Sequence, residues 1–190
     1  MGIEYFLSNS SPDQQAAGCI VVGIYEPRTP SPSAVLLDQA SKGHITAILD
    51  RGDMQGKPGS TLLLHNVPGI AAERVLLVGL GKEGAFDAAA YRKATATAAR
   101  ALRDSTGASD AVSYLTHLPV SSKEVHFTVE IAALETQDSY YRFDRMKGAE
   151  TRAKLPTPTL QRVGFDLPPQ ADRAAAEAGF AHALAIGCLL

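Results

Sequence analysis

The chain has 190 residues, 45% hydrophobic and 20% charged, which excludes a disordered polypeptide and is enough for one domain with a real core. The formal net charge of −2, the pI of about 6.2 and the absence of any run of more than two basic residues give no support for broad phosphate-backbone binding; only a local basic patch would serve DNA. Cys19 and Cys188 form no C-x-x-C and read as buried thiols of a reducing compartment. Met1-Gly2-Ile3-Glu4-Tyr5 lacks the basic start of a signal peptide, and no stretch approaches the roughly eighteen apolar residues of a membrane span. The expected location is the cytoplasm, with no membrane partner.

In chain order, Ile3 to Leu7 is a short strand ended by Ser8-Asn9-Ser10-Ser11-Pro12. Gly18 to Tyr25 is a second, buried strand, and Pro27 to Pro32 a loop. Pro32 suits a first helical position, so a helix runs from Ser33 to about Ser41 and stops at Gly43. Ile45, Ile48 and Leu49 mark another short helix ended by Gly52. A glycine-rich loop, Gly52 to Gly59, leads into the strand Thr61 to His65 and the turn Asn66-Val67-Pro68-Gly69.

Val75 to Val78 are four apolar residues in a row stopped by glycine, the signature of a strand buried on both faces. Gly79 and Gly81 then allow a sharp turn with positive φ. Asp87 caps an alanine-rich helix that reaches Leu102, with no breaker before Ser105 and an end at Gly107. Ala111 to Leu115 is the next strand. Ser121 or Ser122 caps a long helix to about Tyr141, with Val125, Val129, Ala132, Ala133 and Thr136 as its inner stripe. Leu155-Pro156-Thr157-Pro158 is extended, and a last strand, holding Val163 and Phe165, lies between Thr159 and Leu167. Pro168-Pro169 is a boundary before the helix Ala171 to Leu190. Strand, turn and helix in alternation indicate an α/β domain. The apolar end Ala183 to Leu190 has no C-cap glycine, basic last turn or following proline, so the expectation is a polypeptide cut there, with a second domain to follow.

Candidate chemistry is sparse. Gly79-x-Gly81-x-x-Gly84 matches the dinucleotide fingerprint by letter, but that motif needs a helix opening at the glycines. Glu83 and Asp87 would repel the phosphates, and the next strand ends in Thr116-His117 where an acidic residue should hold a ribose. A structural turn is the better reading. The loop Gly52 to Pro58 resembles a P-loop only superficially: it is too short between its glycines and has proline where Ser or Thr must hold magnesium. Arg51-Gly52-Asp53 spells an adhesion tripeptide by chance. His44, His65, His117, His126 and His182 include no i,i+4 pair and no H-E-x-x-H, and no G-x-S-x-G occurs. Asp138, Asp144 and Glu150 flank Tyr140 to Arg145 without marking an acid/base pair. No catalytic, cofactor-binding or metal-ligating residue is therefore expected.

Several stretches together resemble one family. They are Gly59-Ser60-Thr61-Leu62-Leu63-Leu64-His65-Asn66-Val67-Pro68-Gly69-Ile70, Arg74 to Lys82, Tyr91-Arg92-Lys93-Ala94, the loop Arg51 to Lys57, Tyr141-Arg142-Phe143-Asp144-Arg145, and Ala178 to Leu190. In order and spacing they resemble the N-terminal domain of the leucyl (cytosol) aminopeptidases, peptidase family M17. The resemblance implies a macro-domain-like, three-layer α/β/α fold with a mixed, mostly parallel sheet over residues 1–168. Residues 169–190 would start a linker helix to a catalytic domain absent from this sequence. That domain would hold two divalent metals, zinc with manganese or magnesium, and release N-terminal residues, leucine preferred, from peptides within a homo-hexamer. None of the family's metal-ligand segments occurs here, so no site residue is carried over. The alternatives are a macro-like module for ADP-ribose or another nucleotide, and a DNA-binding accessory domain, which the charge does not support.

Overall fold

The computed structural model describes residues 3–120, 124–145 and 159–187. The expected caps Ser121 and Ser122, the segment Leu155 to Pro158 and Cys188 lie outside them. The strands are β1 (Glu4–Ser8), β2 (Cys19–Glu26), β3 (Thr29–Pro30), β4 (Thr61–His65), β5 (Arg74–Lys82), β6 (Asp110–Ser113) and β7 (Arg162–Asp166). The helices are α1 (Pro32–Ala40), α2 (His44–Arg51), α3 (Ala88–Ser105), α4 (Val125–Arg145) and α5 (Arg173–Gly187).

One sheet runs in the order β1-β7-β6-β2-β5-β4, with β3 beside β2. Neighbours are parallel except that β4 is antiparallel to β5 and β3 to β2. Alternation along the central strands divides the core between two faces. Cys19, Val21 and Tyr25 of β2 join Leu76, Val78 and Leu80 of β5 beneath α3, α4 and α5. Ile20, Val22 and Ile24 join Val75 and Leu77 beneath α1 and α2. The result is a mixed, mostly parallel sheet between two helical layers.

Local chemistry sets the helix starts. The Ser31 hydroxyl accepts the Ala34 N–H at 3.4 Å, with Pro32 opening α1. The Asp87 carboxylate accepts the Ala90 N–H at 2.8 Å at the start of α3. On α4, Val129, Ala132, Ala133 and Thr136 are buried and Val125 is half-buried.

Three strands depart from the sequence reading by two residues or more. β5 does not stop at Val78 but continues through Gly79 and Gly81 to Lys82. The 56–60 loop extends its pairing, with the Gly79 N–H donating to Ser60 O and the Gly81 N–H to Gly56 O, both at 2.8 Å. Of the two glycines only Gly81 has positive φ, 82°, and the chain turns later, in the 3-10 segment Glu83–Ala85. β6 ends at Ser113 because Leu115–His117 wind into another 3-10 turn. β7 is shorter than the span Thr159 to Leu167.

The closing helix α5 lies along α4. Its Ala176 and Ala183 are buried, and Phe180 meets Tyr5 and Phe165 edge-on at 6.4 Å. Gly179 makes the close approach: a Cβ there would sit 2.4 Å from His126 O. Alanine improves a free helix by about 1 kcal/mol over glycine, but here the contact is with backbone, which cannot rotate away. Gly179→Ala is thus expected to destabilise the fold by about 1–3 kcal/mol, measured as a lower urea midpoint at unchanged slope.

Candidate functional site

Ligands of open α/β sheets bind at the carboxyl ends of the strands, so that end is where a site belongs. Around β2 and β5 it is filled by the protein's own backbone. A Cβ on Gly79 would fall 2.0 Å from Lys57 O, and one on Gly56 would fall 2.4 Å from Tyr25 O. These glycines admit the 56–60 loop rather than a pyrophosphate. The N-terminus of α3, the other half of a phosphate cradle, is occupied by the Asp87 carboxylate.

A shallow cleft of about 250 Å³ remains beside this loop, lined by Glu26, Pro27, Arg28, Gln55 and Lys57. It lies below the roughly 300 Å³ at which small-molecule sites begin. Arg28 is turned toward the end of α2, donating to Asp50 O at 3.4 Å. Arg51 and Asp53 of the adhesion-like tripeptide form an exposed ion pair at 3.8 Å. Tyr25 at the end of β2 has a buried hydroxyl without a partner among the described residues. Burial, and then the charge of Glu83, push it up to about 12.

At the ends of β1, β6 and β7 lies a second polar group. Asp166, 2% exposed, accepts the Ser10 N–H at 2.9 Å and lies 2.9 Å from His117 Nε2. Its carbonyl accepts the Thr116 hydroxyl, and the Tyr114 hydroxyl donates to Ser10 O at 2.7 Å. No hydroxyl or thiol hydrogen-bonds the His117 ring among the described residues, so the pair lacks a nucleophile to activate. It instead ties the residues after β1 to the turn after β6.

A third group was not legible in the sequence. Glu130 on α4 receives His126 Nε2 at 3.3 Å and His182 Nδ1 at 2.8 Å, while His126 Nδ1 contacts Ala175 O at 3.1 Å. Only the packing of α5 on α4 brings His182 there. Among the described residues no group of three or more His, Cys, Asp or Glu is arranged to hold a metal ion. His44 opens α2 and His65 ends β4, each away from these groups. Asp138 is half-buried on α4; Asp144 and Glu150 fall outside the described side chains.

Comparison with known proteins decides the lineage. Residues 21–150 match the cytosol aminopeptidase family, N-terminal domain. The chain belongs to this family. A probable cytosol aminopeptidase of Shewanella sediminis is 39% identical over 184 residues, covering 97% of this chain and 36% of the relative. A probable cytosol aminopeptidase of Photobacterium profundum gives the same values. This cytosol aminopeptidase N-terminal domain therefore spans 36% of the length of these curated relatives. A tomato leucine aminopeptidase variant superimposes with a TM-score of 0.74 at 18% identity, over 98% of this chain and 36% of that one. The macro domain of ganglioside induced differentiation associated protein 2 gives 0.64 at 13% identity, over 92% and 81%. At these identities the likeness speaks for the fold, which is macro-domain-like. No described helix is long and apolar enough to cross a membrane.

The buried acids of this domain make it sensitive to base. Burial pushes Cys19 from 9.0 up to about 12, and Tyr25 from 10.0 to about 12. Burial likewise raises Tyr5, Tyr91, Tyr114 and Tyr140 above the ordinary tyrosine range. The unfolded chain releases these protons first, so the stability they supply is complete below about pH 9 and lost as pH climbs toward 12. The urea midpoint is expected to fall steadily over that range, with Cys19 unreactive to iodoacetamide until the fold opens.

Proposed function

We propose that this chain is the non-catalytic N-terminal domain of a metal-dependent leucyl aminopeptidase. On this reading residues 1–168 form the supporting lobe, and residues 169–190 lead toward a catalytic domain. That second domain holds two divalent metals, zinc with manganese or magnesium, and releases N-terminal residues, leucine preferred, from peptides. The lobe's work is structural: it supports the catalytic domain and contributes to assembly of a cytoplasmic hexamer.

The observation that carries this reading is the mismatch in coverage. Alignment takes in 97% of this chain but 36% of the Shewanella sediminis relative. The residues present do not fit a metal pair, since no group of three or more metal-ligating side chains is so arranged among the described residues. Of the glycines that mimic a nucleotide fingerprint, Gly79 and Gly81 engage the 56–60 loop instead.

The test is hydrolysis of leucine p-nitroanilide by the purified 190-residue chain with added manganese or zinc. No turnover above the metal-only blank is expected. Chelator-sensitive turnover that co-purifies with the chain would overturn the assignment.

A further inference from the structure

The outer strand β4 offers an unguarded edge. Its register sets Thr61 opposite Val78 and His65 opposite Arg74. The Gly79 N–H donates to Ser60 O at 2.8 Å and the Asn66 N–H to Glu73 O at 3.0 Å, just outside the two ends of that register. Bonded and non-bonded pairs alternate in an antiparallel ladder, so Leu62 and Leu64 bond β5 while Thr61, Leu63 and His65 turn their N–H and C=O groups outward. Among the described residues no strand takes that edge. Edges are commonly guarded by lysine, proline or a bulge; Thr-Leu-Leu-Leu-His has none, and its three leucines are only half-buried.

Beside the edge, on the sheet face that carries α3, lies a groove of about 360 Å³ lined by Gly59, Thr61, Lys93, Thr97, Arg100 and Asp104. Its charge is positive. The Lys93 ammonium has no ion-pair or hydrogen-bond partner among the described residues, and the Arg100 guanidinium bonds only a carbonyl of its own helix, Ala96 O at 3.2 Å. Asp104 is engaged by Arg103 at 2.6 and 2.7 Å. An open strand edge with a helix alongside is the arrangement by which a peptide is bound as an added strand. A second copy of β4 would bring no carboxylate to the two cations, whereas an acidic segment would.

We propose that β4 and α3 form a docking groove for an extended polypeptide segment, which adds a strand along Thr61, Leu63 and His65 and turns alternate carboxylates toward Lys93 and Arg100. Two helical turns separate these cations by about 10.5 Å. Same-face strand residues recur about every 6.8 Å, so three alternate carboxylates span both.

The test is fluorescence anisotropy with a labelled, N-acetylated hexapeptide of alternating Glu and Val; acetylation withholds it from any aminopeptidase site. Saturable binding is expected, and none for the Lys/Val counterpart. N-methylating one alternate set of its amides is expected to abolish binding and the other set to leave it intact, because an added strand presents one edge to β4. Thr61→Pro, which removes only an outward N–H, and the Lys93→Glu/Arg100→Glu pair are each expected to weaken binding at least about tenfold. The proposal is overturned if the acidic peptide does not bind, if both peptides bind alike, or if both methylated sets bind unchanged. It is also overturned if an oligo-dT binds this groove, lost in the charge-reversed pair, while the acidic peptide does not.

Discussion

The seating of the 56–60 loop on the glycines of β5 is the constraint on which the carboxyl end of this sheet depends. Any side chain at Gly79 would occupy the position of Lys57 O, and any at Gly56 that of Tyr25 O. Because both are glycine, the backbones close to hydrogen-bonding distance and β5 runs on to Lys82. The same contact starts the ladder that fixes β4 beside β5. It also fills the space that a phosphate would need, so a single packing feature both completes the sheet and closes its most suggestive motif.

Much of this was legible from residue pattern. Val75 to Val78 had to be buried on both faces, and the two core clusters divide those residues in strict alternation. Asp87 and Pro32 mark helix starts because the first turn is local chemistry, readable within three or four residues. Local pattern fails where distant chain decides. Gly79 looked like a strand end because glycine is usually a breaker; here its lack of a side chain admits a neighbouring backbone. The trio His126, Glu130 and His182 could not be seen in the sequence, because it exists only through the docking of α5 on α4. Asp166 and His117 likewise meet only when β6 and β7 pair.

The two acids at this end of the sheet, Asp166 and Asp87, have their partners within the domain. Asp166 is taken up by Ser10 and His117, and Asp87 by the first turn of α3. Such satisfied groups hold loops in place rather than await a substrate. Among the described residues, the β4–α3 face is one where outward-facing backbone and unpaired positive charge coincide.

Calorimetric titration of the protein with ADP-ribose is the most direct measure of whether the sheet's carboxyl end is closed. The account predicts no saturable heat at high micromolar ligand, because loop backbone occupies the glycine turn and the Asp87 carboxylate the helix start. A saturable, one-to-one isotherm would contradict it.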